Sequence, residues 1–208
     1  MVYSFIEVES YAGTVLKQEF SKQNSSTLVI LLPGIGYTIF GPLIYYSYSL
    51  AVELGYDVLT IEYGFQKTNQ SFEQEHYSNI IDESKTAIDK ALFSGNYNDI
   101  VFIGKSLGTG IMSNLLSYYQ SILRITPIFI APIKSAVDSI GLFKSLVIIG
   151  TNDSHFDDIK NINGLDNVHM YIIHGADHDL EVDNFIESID YMKQCIICIR
   201  DFILKRDT

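Results

Sequence analysis

The stretch IVFIGKSLGTG, residues Ile100–Gly110, carries the clearest structural signal in the chain. Four apolar residues, Ile100 to Ile103, run straight into Gly104-Lys105-Ser106-Leu107-Gly108, and a helical pattern follows to about Tyr119. This is G-x-S-x-G in a strand–turn–helix setting. A serine at the tip of so tight a turn sits in strained backbone geometry. Gly104 and Gly108 remove the Cβ atoms that would obstruct it on either side, so Oγ stands clear of the sheet. The helix that starts here points its N-terminal N–H groups at the same spot, favouring negative charge. A phosphate-binding G-x-x-x-x-G-K-S loop would need glycine at position 99, where Asp99 stands, and a loop where Ile100–Ile103 reads as strand. A dinucleotide G-x-G-x-x-G fails at Ser106 and Thr109.

Outward from this turn, short β-rich runs alternate with longer helical patterns. Upstream, Val2–Val8 and Thr14–Phe20 read as strands around a Tyr11-Ala12-Gly13 turn. Thr27–Leu32 reads as a strand buried on both faces, broken by Pro33-Gly34-Ile35-Gly36. A helix over about Phe40–Leu54 and a strand over Tyr56–Tyr63 follow. Ser71 with Gln74 suggests a capping box for a helix whose stripe is Tyr77, Ile80, Ile81, Ser84, Ile88, Ala91 and Leu92. Downstream, strands are expected at Ile125–Ile130, Leu146–Ile149 and Val168–Ile173. A last helix spans about Leu180–Leu204, with Phe185, Ile189, Met192, Ile196, Ile199 and Ile203 on one face. The alternation predicts an α/β fold: a mostly parallel, twisted sheet of about eight strands, with helices on both faces and an antiparallel edge formed by the first two strands. No linker, repeat or composition shift divides the 208 residues, so a single domain over 1–208 is expected.

Ligands of such sheets bind at the carboxyl ends of the strands. A serine hydroxyl there is a weak nucleophile unless a base takes its proton, and the base needs an acid to hold its tautomer. Of the five histidines, His76 reads as solvated surface and His169 lies inside a strand. His174 ends that strand, and His155 follows the strand before it. His178, in Gly175-Ala176-Asp177-His178-Asp179, has the loop position from which a base can reach Ser106. Asp153 is the first carboxylate beyond Leu146–Ile149, with Asp157 and Asp158 as rivals a turn later.

With these residues in place, the chain resembles the α/β-hydrolase superfamily over nearly its whole length. IVFIGKSLGTG, VIIGTNDSHFD (147–157) and YIIHGADHDL (171–180) stand where that fold places nucleophile, acid and base, in the order Ser106, Asp153, His178. The resemblance implies an oxyanion hole made by the N–H of Leu107 and one from the Pro33–Gly36 loop, best matched by Ile35. Many members carry histidine where this chain has Pro33, which cannot donate a backbone hydrogen bond. The donor needed lies two residues later. Only residues 131–144 separate the strand ending at Ile130 from the next, too few for a lid domain, so the likeness is to small uncapped serine hydrolases. Tyr37, Phe40, Phe65 and Phe156 lie near the expected site and are candidates for its apolar walls. The implied activity is cleavage of a small ester or thioester without a cofactor or metal. A non-catalytic binding protein on this fold and a lactone or C–C bond hydrolase remain alternatives.

Composition bears on partners. Lys plus Arg number 14 against 25 Asp plus Glu, a net charge of −11. That disfavours nucleic acid and anionic membrane surfaces, both of which attract cationic chains, and points to a small-molecule substrate. No apolar run is long enough for a transmembrane helix. Met1–Ser10 carries Glu7 and Glu9 and has no secretory character. The two cysteines, Cys195 and Cys198, have redox-motif spacing but lie inside a helix and read as buried small residues. A cytoplasmic protein is expected; the oligomeric state is left open. The acidic group Asp177, Asp179, Glu181 and Asp183 reads as the first turn of the last helix rather than a metal site.

Overall fold

The structure, a computed structural model, describes residues 1–162 and 165–205. Two strands, β1 (Val2–Glu9) and β2 (Val15–Lys22), form an antiparallel hairpin. Strands and helices then alternate: β3 (Thr27–Leu32), α1 (Pro42–Glu53), β4 (Asp57–Thr60), α2 (Gly64–Lys67), α3 (Tyr77–Phe93), β5 (Asp99–Lys105) and α4 (Leu107–Tyr119). The second half runs β6 (Arg124–Ile130), α5 (Val137–Ile140), β7 (Ser145–Gly150), α6 (Phe156–Ile159), β8 (Val168–Ile173) and α7 (Phe185–Leu204). The eight strands make one sheet in the order β1-β2-β4-β3-β5-β6-β7-β8. β2 pairs antiparallel with both β1 and β4, and every pair from β4 to β8 across the sheet is parallel.

All residues of β3, β5 and β7 are buried, because helices cover both faces. The period of two sorts their side chains. Leu28, Ile30, Leu32, Ile100 and Phe102 face α3 and α4, packing on Ile80, Ile88, Ile111 and Leu115. Val29, Leu31, Val101 and Ile103 face α1 and α7, packing on Ile44, Cys195, Ile199 and Ile203. Each such aliphatic side chain contributes about 1.5–3 kcal/mol on burial. The crossover through α1 places β4 on one side of β3, and the crossover through α3 places β5 on the other. The carboxyl ends of β3 and β5 thus flank a topological switch point, where open α/β sheets form their ligand crevice.

Two helix expectations are corrected. Ser71 and Gln74 do not start α3. Phe72 docks edge-on against Phe65, Glu73 stays extended, and Gln74–His76 form a single 3₁₀ turn before the helix begins at Tyr77. The last helix begins at Phe185, not Leu180. Leu180 has φ 64°, incompatible with a helix, and the Asn184 side chain caps the start by accepting the N–H groups of Ile186 and Glu187. Its buried residues are Ser188, Cys195, Ile199, Phe202 and Ile203, whereas Phe185 and Ile189 are exposed. Apolar residues cover more than half of this helix's circumference, so periodicity alone did not determine which part turns inward. Cys195 packs in the core, where burial pushes its thiol up to about 12. Among the described residues no helix is long and apolar enough to cross a membrane.

Candidate active site

The strand–helix turn after β5 has the strained geometry that its glycines suggest. Ser106 stands at φ 50° and ψ −117°, a region costing a non-glycine residue about 1–3 kcal/mol. Its N–H donates to the Ile130 carbonyl at 3.0 Å, tying the turn to β6. A Cβ at Gly108 would stand 2.0 Å from the Leu32 carbonyl oxygen, so α4 starts in direct backbone contact with the end of β3. Gly108→Ala must push apart two backbones that have no room to move. The expected cost is about 4 kcal/mol or more, which lowers Tm by about 10 °C in a chain of this size. Thermal melting followed by circular dichroism checks this, and a wild-type Tm would refute it.

The loops after β7 and β8 meet in the same way. A Cβ at Gly150 would lie 2.1 Å from the Ala176 carbonyl oxygen. Asn152 N–H donates to that carbonyl at 2.9 Å, Thr151 N–H to Ile173 at 3.0 Å, and Gly175 N–H to the Thr151 hydroxyl at 2.8 Å. These bonds bring together residues far apart in sequence. Asp153 Oδ2 lies 2.7 Å from His178 Nδ1, and His178 Nε2 lies 2.8 Å from Ser106 Oγ. The Asp153 side chain is fully buried, and its Oδ1 accepts the His155 N–H at 2.9 Å. Burial by itself would raise this carboxyl. The hydrogen bonds from His178 and the His155 N–H, together with the charge of the two histidines, outweigh it and hold the group below its ordinary value. Asp153 is therefore an ionised acceptor at neutral pH. Neutral His178 then carries its proton on Nδ1, which leaves Nε2 free to accept the Ser106 O–H.

The other candidates are placed elsewhere. His155 stacks edge-on to His178 at 5.9 Å between ring centroids and lies 3.9 Å from Asp158. His76 stacks on Tyr11; His169 and His174 are exposed. Asp157 pairs with Lys160 at the surface, and Asp158 sits 3.5 Å from Lys134. The acidic group before α7 is a loop rather than a first helical turn. Asp177 accepts the N–H groups of Asp179 and Glu181, which shapes the turn that carries His178. Among the described residues no cluster has the ligands to hold a metal ion.

A cavity of about 290 Å³ opens over Ser106, lined by Gly34–Tyr37, Lys105, Ser106, His178 and Asp179. Of the four aromatic wall candidates, only Tyr37 lines it. Phe65 is buried beneath the Tyr63 ring, 5.6 Å away, so its own ring is unavailable to a ligand. Phe40 is 77% exposed on the outer turn before α1, and Phe156 packs sideways against the core. Ile35 is half-exposed at the cavity mouth. Among the described residues no protein acceptor takes its N–H. Leu107, the first residue of α4, has no intrahelical partner for its N–H either.

Lys105 was not singled out by its sequence position, although it makes several contacts at this site. Its side chain is completely buried. The ammonium donates to Asp179 Oδ1 at 2.9 Å and to the His178 carbonyl at 3.2 Å, and lies 4.3 Å from the Tyr37 ring centroid. A buried ammonium requires a counter-charge and hydrogen-bond acceptors, and here they are the residues around His178. Tyr37 stays a neutral phenol: burial pushes its hydroxyl up to about 12, against the Leu43 N–H that it accepts. The available signal was a lysine placed between an apolar strand and a helix.

This arrangement is the α/β-hydrolase fold, with its strand-end loops converging on one crevice. No protein-family model matches the sequence, and a search of curated proteins finds no match. Solved structures do resemble it. A protein of unknown function from Agrobacterium tumefaciens aligns with TM-score 0.76 at 18% identity, over 97% of both chains. A serine hydrolase without a lid from Xanthomonas campestris aligns with TM-score 0.66 at 14% identity, over 96% of this chain and 94% of that one. An esterase from Pyrococcus furiosus aligns with TM-score 0.69 at 15% identity, over 98% of this chain and 92% of that one.

Proposed function

We propose that the chain is a serine hydrolase that cleaves a small ester or thioester through an acyl-enzyme. One observation carries the reading. A buried carboxylate, an imidazole and a hydroxyl on a strained turn are linked by contacts of 2.7 and 2.8 Å. Ser106 Oγ attacks the substrate carbonyl while its proton passes to His178 Nε2. Asp153 orients the ring and stabilises the imidazolium that forms. The N–H groups of Leu107 and Ile35 receive the negative charge that develops on the carbonyl oxygen. The tetrahedral intermediate collapses as His178 returns the proton to the departing alcohol or thiol. Water, deprotonated by His178, then releases the acyl group as an acid and restores Ser106. No cofactor enters this sequence. The esterase and the lidless serine hydrolase among the structural neighbours support the reading. The net charge of −11 favours a small-molecule substrate over nucleic acid or an anionic membrane, and the sparse cysteines suit a cytoplasmic setting.

Substrate size follows from two features. The connection from β6 to β7 holds only one 3₁₀ turn, Lys134–Ala136, and the single turn of α5. The cavity over Ser106, at about 290 Å³, is small for a bound ligand. A series of p-nitrophenyl esters is expected to give its highest kcat/KM at two to four acyl carbons, with no jump in rate at a lipid–water interface. A maximum at long chains would overturn the assignment of substrate size.

A further inference from the structure

Gln66, in the first turn after β4, is used by neither the elbow nor the acid and histidine loops. Its Nε2 donates to two consecutive backbone carbonyls of the loop after β3, Gly34 at 2.8 Å and Ile35 at 3.1 Å. Its Oε1 accepts the Tyr63 N–H at 3.3 Å, which fixes which end of the amide faces the loop. The Tyr63 hydroxyl holds the preceding carbonyl, that of Pro33, at 3.0 Å. Three carbonyls in a row are thereby pinned from one side.

The described chain contains no cis peptide, so each N–H lies opposite the carbonyl of its own peptide unit. Pinning the Gly34 carbonyl turns the Ile35 N–H away from Gln66, and pinning the Ile35 carbonyl does the same for the Gly36 N–H. The Gly34 N–H is already taken by the Tyr37 carbonyl at 2.9 Å. Neither the Ile35 nor the Gly36 N–H has a protein acceptor among the described residues. Two successive free N–H groups turned to one side form a concavity suited to an anion. The loop lies directly against the serine: a Cβ on Gly34 would stand 3.2 Å from Ser106 Cβ. Ile35 and Gly36 both line the cavity over Ser106, and Gln66 does not.

We propose that Gln66 is the positioning residue of the oxyanion loop, and that the N–H of Gly36 joins that of Ile35 in receiving the carbonyl oxygen. The inference rests on the serine-hydrolase reading above. An amide is the side chain the geometry requires. It has the donor for two carbonyls and an acceptor for its own backbone anchor. A glutamate of the same size would set a carboxylate against two carbonyl oxygens.

Gln66→Met removes the donor at nearly constant volume, and Gln66→Glu reverses it while keeping Oε1. Each is assayed with p-nitrophenyl acetate and with an aryl trifluoromethyl ketone, which forms a tetrahedral adduct on a reactive serine. In both variants kcat is expected to fall about 10- to 100-fold, less than the loss of a donor outright, with KM within about twofold. Affinity for the ketone should fall by a similar factor. The pH profile of kcat/KM should stay in place, because His178 and Asp153 are untouched. If Gln66→Met does not fold, Gln66→Glu carries the test. Wild-type kcat and ketone affinity in a folded variant would overturn the inference alone, as would a loss confined to KM. A wild-type protein that turns over no ester and takes up no fluorophosphonate would remove the hydrolase reading and this inference together.

Discussion

Ser106→Ala is expected to abolish ester turnover and covalent labelling by a fluorophosphonate, while the fold survives. The hydroxyl is the one atom that alanine lacks, and it lies 2.8 Å from His178 Nε2. The backbone strain at φ 50° is carried by the surrounding contacts and is equally present with alanine. Removing a triad nucleophile leaves only the catalysis of the oxyanion donors and of binding, a drop of about 10⁶-fold in kcat in one well-studied serine protease. Intact-mass spectrometry of the wild type should show one adduct, and peptide mapping should place it on Ser106. An adduct on another residue, or turnover by Ser106→Ala within tenfold of wild type, would remove Ser106 from the mechanism.

The second large effect belongs to Asp153. Its side chain is fully buried and touches His178 Nδ1 at 2.7 Å, so the amide in Asp153→Asn can present a donor where the ring needs an acceptor. The ring then favours the tautomer with its proton on Nε2, facing Ser106. Such a change costs about 10⁴-fold in kcat in a serine protease triad. Asp157→Asn, by contrast, alters a surface ion pair with Lys160 and should leave turnover near wild type. The same variant has a stability signature. The folded pKa of Asp153 is depressed below its unfolded value. Its contribution to stability is therefore present above the unfolded pKa, near 3.9. It is lost as pH falls through the folded value. Asp153→Asn should flatten that part of the acid limb in a plot of Tm against pH. A large kcat loss for Asp157→Asn with little loss for Asp153→Asn would reassign the acid.

How much of this was legible varies along the chain with the physics of each segment. Thr27–Leu32 and Val168–Ile173 could be read to the residue, because a β-rich apolar run bounded by turn residues has few other solutions. The last helix could not be phased. With Ile186, Ile189, Met192, Ile196 and Ile197 all apolar, several faces compete, and the choice fell to whichever one α1, β7 and β8 could bury. Ser71 and Gln74 had the letters of a capping box, but Phe72 found a better partner in Phe65 than a helix start could offer. Phe65 illustrates the converse. Its sequence position just past a strand end suggested a pocket wall, yet its ring turned inward to stack on Tyr63.

The layout was already written in the residues: an alternating, mostly parallel sheet, a serine turn that only glycines could flank, and three polar loops past three strand ends. These follow from local chemistry, from periodicity, turn residues and the short reach of a tight turn. Which carboxylate meets His178 was settled by packing, because Asp153, Asp157 and Asp158 differ by a few residues in position but from buried to exposed in their side chains. Packing also brought Lys105 to Asp179 across 74 residues, and Gln66 to the Gly34 and Ile35 carbonyls across 32 and 31. Those partners are far apart along the chain. They become neighbours because eight strands share one sheet, and a buried ammonium or a bare carbonyl must find a partner wherever the packing places one.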